Sequence, residues 1–249
     1  MICCKYIGIH IFVTVVLLGI LFPPGNVLAS SEVKKEIMQP FSSMKSFPSG
    51  NIWASPENAA KYSDILSEVG NYSCLSPSET ELVQLINNYR QSKGLPSIAN
   101  SRSLTKVARI HVLDLSRNSP AMGHDSRGLD CSLHSWSGYG FWTPVCYTHD
   151  HYYAEELWNK PREITHGIYF RVGYENAYWT SASEVNPSRV LESWKKNPDH
   201  NALILETGKW RKTRLVALGV GIYKNYAVIW VGTMLDPLGS LKSCKGINE

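Results

Sequence analysis

The 249-residue chain has no Gly-rich phosphate loop, no dinucleotide fingerprint, no His-Glu-x-x-His helix and no Gly-x-Ser-x-Gly elbow. Those absences remove the sequence-readable forms of nucleotide, zinc-peptidase and serine-hydrolase chemistry. Charge is thin as well: 25 Lys and Arg stand against 21 Asp and Glu, a net charge of +4 spread along the chain. So mild an excess gives no footprint for nucleic acid. No Cys-x-x-Cys spacing supports a structural zinc site. No internal repeat or low-complexity tract is present.

What is there begins with a leader. Lys5 precedes an apolar run, Ile9 to Phe22, followed by Pro-Pro-Gly and the small-residue segment Val27-Leu28-Ala29. This is the pattern of a signal peptide over residues 1–29, cleaved after Ala29. The run is short of the roughly 20 residues that span a bilayer. A secreted or extracytoplasmic protein is the expectation, with an uncleaved membrane anchor as the alternative.

Cys3 and Cys4 lie in the leader, so Cys74, Cys131, Cys146 and Cys244 remain, an even number suited to an oxidising compartment. Four cysteines allow three pairings. Cys131–Cys146, closing a short loop, and Cys74–Cys244, joining the ends of the domain, are the expected ones. By chain entropy the shorter loop is worth about 3 kcal/mol. With the thiols paired, no cysteine nucleophile is expected.

Residues 30–75 are rich in Ser, Pro and Lys with little periodicity, and read as a flexible N-terminal extension with a short helix near Glu57–Val69. The sequon Asn71-Tyr72-Ser73 matters only if the host glycosylates exported proteins. An ordered domain is expected over residues 76–244. Leu82, Leu85, Ile86 and Tyr89 repeat as the stripe of an amphipathic helix that stops at Gly94. A second helix is expected over Ser103–Arg117, with His111 on its apolar face as a hydrogen-bonded core histidine. Asp150–Asn159 reads as a short helix stopped by Pro161, and Pro187–Lys196 as a longer one. Leu215–Tyr223 and Tyr226–Met234, joined by Lys224-Asn225, form a β-hairpin. Together these make one α+β domain.

The polar residues able to carry chemistry are His134, Glu175 and His200. Two imidazoles and a carboxylate suit zinc or another divalent cation, but spacing alone does not make them neighbours. His149, Asp150, His151 and Glu155 form a second cluster, with His151 and Glu155 on one face if the helix forms there. Trp136, Tyr139, Phe141, Trp142, Tyr147, Tyr152, Tyr153 and Trp158 crowd the segment between. They either fill a core around the Cys131–Cys146 loop or stack on sugar rings or an apolar ligand. The run Lys209–Arg214 reads as a solvated loop, with contact to anionic lipid or cell-wall polymer as the alternative.

The segments "LVQLINNYRQSKGLP" at Leu82–Pro96, "SLTKVARIHVLDL", "LHSWS", "GYENA", "SWKKNPDHNALIL" and "ALGVGIYKNYAVIWVG" occur in this order over roughly residues 78–237. In that order they resemble the CAP superfamily (cysteine-rich secretory, antigen 5 and pathogenesis-related 1; the SCP-like domain), in a bacterial-type variant. The resemblance implies an α-β-α sandwich with a central antiparallel sheet and a wide cleft. His134 and His200 match its two histidines and Glu175 its Gly-Glu-Asn carboxylate. Many members carry a further glutamate three residues after the helix tryptophan; here Asn197 follows Trp194, which puts strong metal binding in doubt. The expected cleft residues are His134, Glu175, His200, Asn197 and Trp136. The resemblance implies a non-enzymatic binding module for a lipid, glycan or protein partner, with peripheral membrane or cell-wall contact. The alternative is a divalent-metal-dependent, peptidase-like hydrolase in which His134 and His200 hold the ion and Glu175 ligates it or acts as general base.

Overall fold

The computed structural model describes residues 73–244. The leader, its cleavage point, the expected helix near residues 57–69 and the greater part of the extension lie outside the described residues. Among the described residues, no helix is long and apolar enough to cross a membrane.

A four-stranded sheet forms the middle layer. Strand β1 (Cys74–Leu75) stands outside it; β2 is Ala99–Asn100, β3 Gly173–Trp179, β4 Ala217–Tyr223 and β5 Tyr226–Gly232. The expected hairpin is present as β4–β5, in register from Tyr223 opposite Tyr226 to Ala217 opposite Gly232. Lys224 takes φ 50° in its two-residue turn, as a tight hairpin requires. Strand β3 adds antiparallel to β5 with Glu175 opposite Trp230, and β2 adds parallel to β4, giving the order β2-β4-β5-β3. The sheet is therefore mixed, not wholly antiparallel, because the short β2 enters beside β4 in the same direction.

Alternation along these strands builds two cores. Leu218, Val220, Ile229 and Val231 face one side, where helix α1 (Pro77–Ser92) and helix α5 (Pro187–Lys196) bring Leu82, Ile86, Val190 and Trp194. Val228, Trp230 and Ala177 face the other, covered by helix α2 (Arg102–Asn118) through Leu104, Val107 and Ala108. On that side β4 presents Gly219 and Gly221. A Cβ there would lie 2.0 Å from the Leu104 carbonyl carbon and 2.4 Å from that of Ala108, so the helix backbone rests on the strand.

Both expected disulfides form: Cys74–Cys244 and Cys131–Cys146. Cys74 and Leu75, assigned to the extension from sequence, pair as β1 with β6 (Lys242–Ser243). Trp136 and Trp142 are buried at 2% and 0% exposure, so the aromatic segment is, in these residues, a core.

The helix expected over Asp150–Asn159 shrinks to α3 (Ala154–Trp158). His151 sits at φ 60°, a left-handed conformation that breaks a helix, and its Nδ1 lies 2.8 Å from the Tyr147 hydroxyl. Asp150 is drawn off by the Thr148 hydroxyl at 2.5 Å and Arg127 at 2.8 Å, contacts that hold its carboxyl well below the usual range. Pro161 opens the next helix, α4 (Lys160–Ile164), where a proline costs nothing in the first turn. Helix α6 (Pro198–Ile204) follows α5 directly.

Candidate functional site: a cleft over the free edge of strand β3

Strand β3 is an edge strand, and three consecutive residues of it, Tyr174, Glu175 and Asn176, line one cleft of about 740 Å³. Neighbouring strand residues point to opposite faces, so the cleft straddles the open edge. Glu175 lies on the α2 side. Asn176 lies on the other, where its Nδ2 donates to the His200 carbonyl at 3.1 Å and fastens α6 to the strand. The Glu-Asn dipeptide thus serves both walls.

Glu175 is fully committed. One carboxylate oxygen accepts from His111 Nδ1 and the other from His134 Nδ1 at 2.9 Å. Its side chain has no exposed surface. Burial alone would raise its pKa; the charge and hydrogen bond of His111, then the contacts of His134, outweigh that and lower it. His111 presents its second nitrogen, Nε2, to the Ser135 carbonyl at 3.0 Å. Both of its ring nitrogens therefore face acceptors, a set only an imidazolium can satisfy by donating twice. Burial would lower its pKa, but the Glu175 charge and hydrogen bond, the Ser135 carbonyl and Asp114 raise it overall. Trp136 stacks on the His111 ring at 4.2 Å and 7°, a favourable seat for a cation. Trp136 is thus a core residue under His111; it does not line the cleft as expected from sequence.

His111 supplies a charge beside Glu175 at one oxygen, and His134 donates to the other from Nδ1. His200 stands nearby, with ring centroids 6.3 Å apart. Burial, then the neighbouring His134, pushes the His200 pKa down to about 4, so its ring is neutral at physiological pH. Asn197 is the N-cap of α6: its Oδ1 accepts from the backbone N–H of Asp199 at 3.0 Å and of His200 at 3.2 Å. A cap favours Asn strongly, which gives the residue at this position a structural duty in addition to its place on the cleft wall.

The expected metal set does not fit as one first shell. Both Glu175 oxygens are occupied by imidazoles. Among the described residues no three His, Cys, Asp or Glu side chains are placed to hold an ion together. His134 Nε2 and the His200 ring are two donors, short of the three protein ligands of a catalytic zinc. The second cluster disperses too, since His151 and Asp150 are engaged outside the helix.

Sequence reasoning missed one wall. Trp158 meets Tyr174 edge-on at 5.5 Å, and Tyr174 meets Trp210 at 4.5 Å. Lys209 and Trp210 line the cleft from a 3-10 turn, Gly208–Trp210, while Lys209, Arg211, Lys212 and Arg214 are exposed, as the solvated loop expected there requires. The three rings are 52 residues apart along the chain, so no local pattern could join them.

A model of the cysteine-rich secretory protein family, CAP, matches residues 83–233. Among solved structures the chain is similar to an extracellular protein containing an SCP domain from Bacillus anthracis. That match has 18% identity, covers 63% of this chain and 40% of that one, and has a TM-score of 0.41. It is also similar to a cysteine-rich secretory protein from Staphylococcus aureus (12% identity, 63% and 39% coverage, TM-score 0.40). An outer surface protein from Borrelia burgdorferi matches at 16% identity, 63% and 93% coverage and a TM-score of 0.37. The matched part spans about two fifths of the first two structures. No curated protein matches the chain.

Proposed function

The chain belongs to the cysteine-rich secretory protein (CAP) family, and on that premise we propose that it is an exported, non-enzymatic module that binds a lipid, glycan or protein partner in the cleft beside β3. The single observation that carries this reading is the state of Glu175. Both of its oxygens are held by imidazoles, so the buried carboxylate at the base of the cleft is spent on positioning. What faces a ligand is instead a set of aromatic rings, amides and imidazoles, the usual lining of a binding pocket of this volume. Export is supported by the leader pattern and by two disulfides, which persist in oxidising compartments.

The test pairs lipid and glycan arrays with peptidase and esterase assays on the disulfide-intact protein. Capture that weakens in Tyr174→Ala or Trp210→Ala, with no hydrolysis, is the expected result. Turnover that vanishes in a folded His134→Ala/His200→Ala double variant would overturn it.

A second reading, the metal-dependent hydrolase, has one observation in its favour. A carboxylate hydrogen-bonded to Nδ1 is the arrangement that orients a histidine for metal binding through Nε2. Zinc titration by calorimetry decides it. One-site micromolar binding that disappears in the double variant supports that reading, and no binding removes it.

A further inference from the structure

Three aromatic side chains from three separate elements meet along one wall of the cleft. Trp158 closes α3, Tyr174 stands on β3, and Trp210 sits in the turn after α6. Their contacts are edge-on or tilted, at 77° and 59°, so the rings present a stepped surface and not a single stacked column. Trp158 keeps 36% of its surface exposed, and Tyr174 and Trp210 are half-buried at the margin of the core. Lys209 Nζ stands 5.3 Å from the Trp210 ring centre.

Polar groups of the same cleft come from the N-terminal end of α6. The Asn197 Nδ2 group, the Asp199 carboxylate and the His200 ring line it, and no side-chain hydrogen bond commits them among the described residues. Lys209 and Asp199 offset one another, which leaves the lining close to electrically neutral.

Such a surface matches a sugar better than an acyl chain. A pyranose ring has C–H faces that pack on an aromatic ring and an equatorial rim of hydroxyls that both donate and accept. An acyl chain has no use for donors and acceptors, and burying them against it unpaired costs free energy. We propose that Trp158, Tyr174 and Trp210 form a saccharide-stacking subsite, in which a neutral oligosaccharide lies on the rings with its hydroxyls toward Asn197, Asp199 and His200. This deepens the binding-module reading and rests on it.

The disulfide-intact protein is titrated with cellotetraose and chitotetraose, following tryptophan emission and heat. Saturable binding of at least one is expected. It should weaken about tenfold in Trp158→Ala or Trp210→Ala, the scale of one aromatic contact. Trp179→Ala, which removes a half-exposed indole outside the cleft, should leave it unchanged. Trp158 is the more exposed of the two, so its variant keeps the test valid if Trp210→Ala fails to fold. No binding of either oligosaccharide, or binding indifferent to both folded variants, overturns the proposal. Phosphatidylglycerol vesicles form the second arm. If they bind and Trp210→Ala abolishes that binding while the sugars do nothing, the saccharide proposal falls and the binding module stands. If neither probe binds, the saccharide proposal falls and the binding-module reading is narrowed to a protein partner.

Discussion

Helix α2 carries two buried cations two residues apart, Arg109 and His111, and each meets a buried carboxylate from another element. Arg109 grips Glu79 through Nε at 2.8 Å and Nη2 at 2.5 Å, while Glu79 also accepts the Ser76 N–H at 2.8 Å. His111 meets Glu175, whose second oxygen takes His134. The two carboxylates are alike in burial, at 3% and 0% side-chain exposure. They differ in their third partner. For Glu79 it is the backbone N–H of a helix cap, which cannot titrate or move, and the arrangement fastens α1 to α2. For Glu175 it is an imidazole with 21% of its side chain exposed at the cleft. The same buried ion pair is a bolt in one place and a seat for a functional group in the other.

The contrast predicts unequal costs of breakage. Glu79→Gln strands a guanidinium that cannot give up its charge, and should cost about 3–5 kcal/mol in urea unfolding at pH 7. A loss under about 1 kcal/mol would show that the Arg109 pair is not the bolt described. Glu175→Gln should cost less, about 1–3 kcal/mol, because His111 can shed its proton and become neutral. Equal losses in the two variants would erase the distinction.

Acid and base sharpen it further. The raised pKa of His111 adds stability that is fully present below its unfolded value of 6.5 and fades as pH rises through the folded value. The lowered pKa of Glu175 adds stability present above 4.5 and lost as pH falls through its folded value. The pair therefore contributes most between about pH 4.5 and 6.5. Unfolding free energies should decline from pH 6 to pH 9 in the wild type, and that slope should flatten in Glu175→Gln. An unchanged slope would place the titration elsewhere. The smallest effect belongs to His200→Ala. With no side-chain hydrogen bond to lose among the described residues, it should shift stability by about 0.5 kcal/mol or less, and a larger loss in a thermal melt would mean the ring braces α6.

Much of this was legible in the chain. Helices α1, α2 and α5 announced themselves by apolar spacing, and the β4–β5 hairpin by alternation around Lys224-Asn225. His111 was readable as a core histidine because it falls on the apolar face of α2, and the disulfides are the pair favoured among the three pairings that four cysteines allow. Strand β3 was not drawn as a strand, since Gly173–Trp179 mixes Glu and Asn with aromatics. Its burial on both sides comes from elements far away in sequence. The His111–Glu175 contact spans 64 residues, and nothing local to either one signals it. The resemblance named His134, Glu175 and His200, which line one cleft, but not the engagement of both Glu175 oxygens, because a motif names residue types and not which hydrogen bonds they have already made. Trp136 was misplaced for a related reason: an aromatic beside a site histidine looks like lining until the fold puts it under His111.

The most direct test is the protonation state of the two imidazoles that share Glu175. Nitrogen-15 NMR of the histidine rings at pH 7 should find both nitrogens of His111 protonated and a proton on Nδ1 of His134. A neutral His111, or an Nδ1 of His134 without its proton, would contradict the account.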